Sequence, residues 1–260
     1  MDNQRTEIKK FWEEQAAQHH CSSLATSPDT IAYHLELAQM KKMIPPGSKV
    51  LDIGCGNGVK GTALAKEQDI DYTGLDYADE MIRQAHELLQ SEKEPLRGKV
   101  RFLSGDILHP SSLPNEVFDI VMTDRCLINL STTDNMISAV RNIHSLLQEK
   151  GIYLMFENSL QALENLNQVR RTFAMSDIQV RWHNIYIDEH KFFYAIAGEF
   201  ELIETVSFAS TYYLLSRTLN ALLTPPGTEI SYMSELNQLS AKLPSLGDFS
   251  PVKLFVLRKK

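Results

Sequence analysis

The sequence predicts an α/β protein built on a parallel sheet with helices on both faces. Three observations carry this reading. From Lys49 onward, short apolar runs alternate with stretches of helical periodicity. A glycine-rich turn, residues 54–58, directly follows the first run. Asp52, that turn, Asp76 and Asp106 then follow one another on successive runs.

Residues 7–20 read as a helix with Ile8, Phe11 and Trp12 on one side, and the Ser/Thr/Pro-rich CSSLATSPDT reads as a loop. Asp29 or Thr30 caps the next helix, whose apolar positions are Ile31, Leu35, Leu37 and Met40. Pro45-Pro46 stops it. KVLDIG is the first buried strand, followed by a helix over about 59–66. DYTGLD is the second strand, and ADEMIRQAHELL a helix with Met81, Ile82, Ala85, Leu88 and Leu89 at helical spacing. KVRFLSGD and VFDIVMTD are strands three and four. A helix bearing Met136, Ile137, Val140, Ile143 and Leu146 leads to GIYLMFE, the fifth. Beyond Glu157 the reading is a helix over 159–174, a β segment IQVRWHNIYI, and a helix capped by Asp188. A sixth strand FELIETVSF, a helix YYLLSRTLNALL, a loop TPPG and a last strand VKLFVL complete it.

The 260 residues carry a net charge of -7 and are 43% hydrophobic and 23% charged, which suits one folded domain. The acidic balance argues against a nucleic-acid partner, because phosphate-backbone contact needs a basic surface. No stretch approaches the roughly 20 apolar residues of a membrane span, and the charged N-terminus lacks an apolar signal core. Three cysteines, at 21, 55 and 126, make no disulfide framework, so the expected compartment is reducing and cytoplasmic.

The turn in VLDIGCGNG lets backbone approach a ligand where a Cβ would clash, and the following helix points free N–H groups at the same place. It is neither a dinucleotide fingerprint, since Val59 stands where the third glycine belongs, nor a P-loop, since Gly61 follows Lys60. Asp76 lies 24 residues beyond Asp52 at the end of the second strand, where an acid accepts ribose hydroxyls. Asp106 stands where a carboxylate can accept from an adenine amino group, with Ile107 against the ring.

Together, VLDIGCGNG, GLDYADEM, SGDIL and FDIVMTDRCLINL resemble the four motifs of the class I S-adenosylmethionine-dependent methyltransferases. The resemblance covers roughly 48–157. It implies a Rossmann-like seven-stranded sheet of order 3-2-1-4-5-7-6 with the last strand antiparallel. ATSPD, DRCLINL, RWHNIYIDE and LPSLGDFSPVKLFVL resemble a bacterial subgroup acting on small molecules. By resemblance, Gly54 and Gly56 line the methionine moiety, with Cys55 a small filler between them. Asp52 holds the loop, Asp76 binds the ribose, and Tyr77 or Met81 flanks the adenine. Asp106 and Ile107 sit at the adenine edge, and Asp124, Arg125 and Cys126 border the sulfonium.

The implied activity is methyl transfer from S-adenosylmethionine to oxygen or nitrogen of a small-molecule acceptor, such as a sugar or a natural-product intermediate. Two other readings stand beside it: a non-catalytic cofactor-binding module, and a nicotinamide-dependent oxidoreductase, which Val59 disfavours. His183 is the candidate general base, against a structural histidine. Glu157, beside Asn158, is the candidate acceptor contact, against a helix cap. Tyr212, Tyr213 and Arg217 either line the acceptor pocket or pack a helix on the core. Arg170-Arg171 reads as a solvated helix face. His19-His20-Cys21 lacks the spacing and second pair of a zinc site, so no metal is expected. Ligands of open α/β sheets bind outside the carboxyl ends of the strands. The whole chain is expected to be one domain, with 48–157 as its cofactor-binding core. Residues 1–45 are expected as a helical cap, and 157–199 and 209–250 as substrate-side insertions.

Overall fold

Val50, Leu51 and Ile53 are almost wholly buried, a pattern that needs cover on both faces of a strand. In the computed structural model, which describes residues 3–225 and 227–260, they form β1 (Lys49–Ile53), an interior strand of a seven-stranded sheet. β2 (Asp71–Asp76) and β4 (Phe118–Asp124) flank β1 in parallel. β3 (Lys99–Ser104) and β5 (Leu147–Asn158) extend the sheet on either side, also in parallel. β7 (Val252–Lys259) runs antiparallel between β5 and β6 (Phe200–Val206). The order is therefore β3-β2-β1-β4-β5-β7-β6, the Rossmann-like order the resemblance implies. Met1, Asp2 and Pro226, parts of the expected cap and TPPG loop, lie outside the described residues.

Two apolar layers hold the sheet. On one face, α2 (Thr30–Met43), α3 (Val59–Glu67) and α4 (Asp79–Ser91) bring Leu37, Met40, Leu64 and Ala85 against Val50, Tyr72 and Met122. On the other, α5 (Thr133–Leu146) and α7 (Glu189–Ala195) bring Met136, Val140, Ile143 and Phe192 against Leu51, Val121 and Tyr153. Asp29 is the cap of α2, accepting from the Ala32 amide at 3.0 Å. Thr132, Ser159 and Asp188 cap α5, α6 (Leu160–Thr172) and α7 in the same manner.

α1 (Asn3–His19) packs Ala16 against Ala78 and Met81 at the start of α4. α8 (Ser210–Leu215) continues through a π turn (Ser216–Asn220) into α9 (Ala221–Leu223), where one regular helix is expected from sequence. Tyr212 and Tyr213 pack against Ile31 of α2, which is the core-packing alternative. α10 (Glu235–Ser240) follows.

Two expectations need correction. β5 begins four residues before GIYLMFE, because Leu147 pairs with Phe118 ahead of a register shift. The expected β segment at 178–187 is not a strand; its single bridge joins Ile187 to Ser159. Its apolar alternation suggests pairing, but several of its backbone polar groups are met outside any sheet ladder. Asn167 brackets Ile178, donating to its carbonyl at 3.2 Å and accepting from its amide at 2.9 Å. The Ile185 amide donates to the Ile128 carbonyl at 2.8 Å.

Candidate active site

The strand order reverses beside β1, and the crevice above such a reversal is where an open α/β sheet takes its ligand. A pocket lies there, lined by the ends of β1, β2 and β4, the 105–107 turn, α1, and Arg181, His183 and Asn184.

The turn after β1 packs so closely on its neighbours that glycine is required at two positions. Gly54 has φ +77°, and a Cβ on it would lie 2.7 Å from both Cβ and Sγ of Cys126. Gly56 has φ +56°, and its Cβ would meet Thr26 Cγ2 at 2.9 Å. The Gly54 amide donates to the Leu75 carbonyl at 2.8 Å, and the Gly56 amide to Asp76 Oδ2 at 2.8 Å. Asn57 ties the turn to the N-terminal segment by donating to the carbonyls of His20 and Ser22, at 2.8 and 2.7 Å.

Asp76 also accepts from the Ala78 amide at 2.9 Å, so both oxygens are oriented by backbone while the side chain still lines the pocket. Burial raises its carboxyl to about 6 against the lowering by those amides. Asp52 accepts from the Tyr72 hydroxyl at 2.5 Å, and its other oxygen, Oδ1, is buried without a partner. Burial raises it to about 7, with Tyr72 opposing. Burial also pushes the Cys55 and Cys126 thiols well above their ordinary range, so neither is a poised nucleophile.

Asp106 accepts from Arg5 at 2.6 Å, from the Leu108 amide at 2.9 Å, and contacts His109 Nδ1 at 2.9 Å. Burial raises its carboxyl, but the Leu108 amide and Arg5 outweigh it and hold it low. At the end of β4, Asp124 and Arg125 join a buried ion network: Lys60 binds Glu36 at 2.5 Å and also Asp124, and Arg125 grips Glu36 at 2.6 and 2.9 Å. Desolvation works against the charge on Asp124, yet Arg125 and Lys60 overcome it and its carboxyl stays low.

The pocket unites Asp52, Gly54, Cys55, Gly56, Asp76, Tyr77, Met81, Asp106, Ile107, Asp124, Arg125, Cys126 and His183. Glu157 does not line it. Its carboxylate lies under the turn after β4, accepting from the amides of Cys126, Leu127 and Ile128 at 3.0, 2.9 and 3.4 Å. Burial raises it to about 8. Among the described residues, segment 209–250 contributes no lining residue; Arg217 reaches instead to Asp29, the cap of α2, at 2.6 Å. Arg171 pairs with Glu164 and Asp177 on an exposed face, whereas Arg170 turns inward to the Arg217 carbonyl.

His183 is nearly buried, stacked on Phe11 at 4.5 Å and edge-on to Trp12 at 5.7 Å. Its Nδ1 has no partner. Desolvation, then Arg181, lowers it to about 4, so it is neutral at physiological pH. His19-His20-Cys21 is an ordinary helix end, with Cys21 Sγ 3.5 Å from the Gln84 carbonyl. No group of three or more His, Cys, Asp or Glu among the described residues is arranged to hold a metal ion.

Several lining or supporting residues escape sequence reasoning: Arg5, Glu36, Lys60, Asn129, Arg181 and Asn184. Glu36 did carry a signal, an acid sharing a helical face with Tyr33 and Met40.

The sheet order, the glycine cradle and the acids at the strand ends define a class I S-adenosylmethionine-dependent methyltransferase domain. A family described as "Methyltransferase domain" matches residues 44–199, and the chain belongs to that family. Sterol 24-C-methyltransferase ERG6B of Gibberella zeae is 30% identical over a match covering 44% of this chain and 28% of that protein. The matches to the first two curated relatives span only 28% and 36% of those proteins' length. The N-methyltransferase NodS of Bradyrhizobium japonicum WM9, in complex with S-adenosylhomocysteine, superimposes with a TM-score of 0.58 at 15% identity over 99% of both chains. Magnesium protoporphyrin IX methyltransferase of Synechocystis PCC 6803 with bound S-adenosylmethionine gives 0.59 at 12% identity, over 100% and 99%. At such identities the likeness is one of fold.

Proposed function

We propose that this domain transfers the methyl group of S-adenosylmethionine to a small-molecule acceptor. The observation that carries the reading is one pocket joining the cradle and Asp76 to a cover made by Trp12 of α1 and His183. A covered pocket suits a small ligand better than a polymer surface.

The residues present fit the cofactor: Gly54 and Gly56 lining the pocket without side chains, an acid at the end of β2, and the partnerless Asp52 Oδ1. Gly54 and Gly56 would face the methionine portion, with Asp52 beneath them and Cys55 packed as a filler. Asp76 would accept from the ribose, Tyr77 and Met81 would flank the adenine, and Asp106 and Ile107 would stand at its edge. Asp124, Arg125 and Cys126 would border the sulfonium. When bound, the cofactor supplies a methyl group already activated on sulfur. The protein's task is to orient the acceptor and exclude water. In this reading His183 Nδ1 accepts a hydrogen bond from the acceptor O–H or N–H. At about 4 its basicity suits orientation more than proton abstraction. Glu157 is a positioning residue that shapes the 126–128 turn. Residues 1–45 act as the cap, and 157–199 supplies the acceptor wall through 181–184, while 209–250 buttresses α2.

The three free cysteines suit a reducing, cytoplasmic setting. Among the described residues no helix is long and apolar enough to cross a membrane. The test is incubation of cell extract with protein and methyl-labelled cofactor, followed by mass spectrometry of small-molecule and macromolecular fractions. Label found only in protein or nucleic acid would overturn the small-molecule reading.

A further inference from the structure

Four cations line the pocket: Arg5, Lys60, Arg125 and Arg181. Three are neutralised within the protein. Arg5 pairs with Asp106, Lys60 with Glu36 and Asp124, and Arg125 with Glu36. Arg181 meets no carboxylate among the described residues, although every other described arginine pairs with a carboxylate or donates to a backbone carbonyl.

Its backbone is nonetheless fixed. The Asn184 amide closes a turn onto the Arg181 carbonyl at 3.0 Å, the Ile185 amide donates to the Ile128 carbonyl at 2.8 Å, and His183 is clamped by Phe11. An exposed guanidinium thus stands on an anchored turn at the pocket wall. A second observation lies in the same turn. Asn184 also lines the pocket, and its Oδ1 is buried with no donor. A planar guanidinium fork matches a carboxylate or phosphate bidentately, and a buried amide oxygen calls for an N–H or O–H.

Building on the methyltransferase reading, we propose that the acceptor carries a carboxylate or phosphate group held by Arg181, beside an N–H or O–H that donates to Asn184 Oδ1. Arg181 is then a specificity-determining residue, separating anionic acceptors from neutral ones of the same shape.

The chain's two tryptophans report on this wall, since Trp12 lines the pocket and Trp182 adjoins Arg181. Protein loaded with S-adenosylhomocysteine is titrated with benzoate, phenyl phosphate and neutral benzamide, followed by tryptophan fluorescence. The series is repeated with Arg181→Gln and Arg181→Lys. The expected result is saturable binding of at least one anion, with benzamide at least tenfold weaker. Arg181→Gln should weaken the anion at least tenfold, and Arg181→Lys should restore part of the loss. The tighter anion identifies the group. Equal binding of benzamide, or wild-type anion affinity in Arg181→Gln, overturns the proposal. So does loss of S-adenosylhomocysteine affinity in Arg181→Gln with anion binding unchanged, which would assign Arg181 to the cofactor carboxylate. Should wild-type protein fail to bind S-adenosylhomocysteine, the methyltransferase reading falls, and the same titration on bare protein still decides the role of Arg181.

Discussion

Gly54→Ala tests how the cradle is built. The new methyl would sit 2.7 Å from Cβ and Sγ of Cys126, and the residue would keep φ +77°. A left-handed conformation costs a non-glycine residue about 1–2 kcal/mol. Forcing an extra methyl into a packed site costs about 1–3 kcal/mol. The expected loss is therefore about 2–5 kcal/mol, read by urea denaturation. The crowding part depends on the Cys126 side chain, while the backbone part does not. Adding Cys126→Gly should return about 1–3 kcal/mol, visible as a favourable coupling in a double-mutant cycle. S-adenosylhomocysteine affinity, measured by calorimetry, should fall in the single variant and recover in part in the double one. A Gly54→Ala protein within about 0.5 kcal/mol of wild type, or a cycle with no coupling, would refute the reasoning.

Asp76→Ala should weaken S-adenosylhomocysteine binding about 10- to 150-fold, since a hydrogen bond to a charged acceptor is worth roughly 1.5–3 kcal/mol; an unchanged affinity in the folded variant removes Asp76 from the ribose. Because burial raises this carboxyl to about 6, wild-type affinity should decline as pH falls through about 6, and calorimetry across pH 5–8 checks it. Glu157, raised to about 8 by burial from its ordinary 4.5, contributes stability that is fully present below about pH 4.5 and lost as pH rises through about 8. Glu157→Gln should flatten that decline in thermal melts. Glu36→Ala should cost about 3–5 kcal/mol in urea denaturation, because it strips Lys60 and Arg125 of a shared buried partner.

Features fixed by neighbours in sequence were legible. The glycine turn, Asp76 and Asp106 each lie at or just after the end of a short strand, so a few residues of context place them on the strand-end rim. Features fixed by long-range pairing were not. Arg125 finds Glu36, and Asp106 finds Arg5, across long stretches of chain, and no local period encodes either meeting. Glu157 shows a subtler gap. Its place at the end of β5 was readable, but whether its carboxylate faced the ligand or the 126–128 amides depended on how the turn after β4 folded. The 178–187 segment failed for the opposite reason: its alternation is strand-like, yet Asn167 and Ile128 take up backbone groups that a sheet neighbour would otherwise claim.

The place of β7 gives the sheet an order of assembly. It follows every other strand in the chain, yet it sits between β5 and β6. β6 touches no other strand, so it waits without a partner while the intervening segment is made. β6 ends at Val206 and β7 begins at Val252, so at about 5–20 residues per second of synthesis the wait is roughly 2–10 seconds. Through that interval β5 presents an open edge, the kind of surface on which nascent chains pair wrongly. Ribosome-bound chains stalled just before Val252 should be cut readily by protease within β6, and protection there before β7 emerges would argue against this order. β6 joins the sheet only when this late strand fills the place between it and β5.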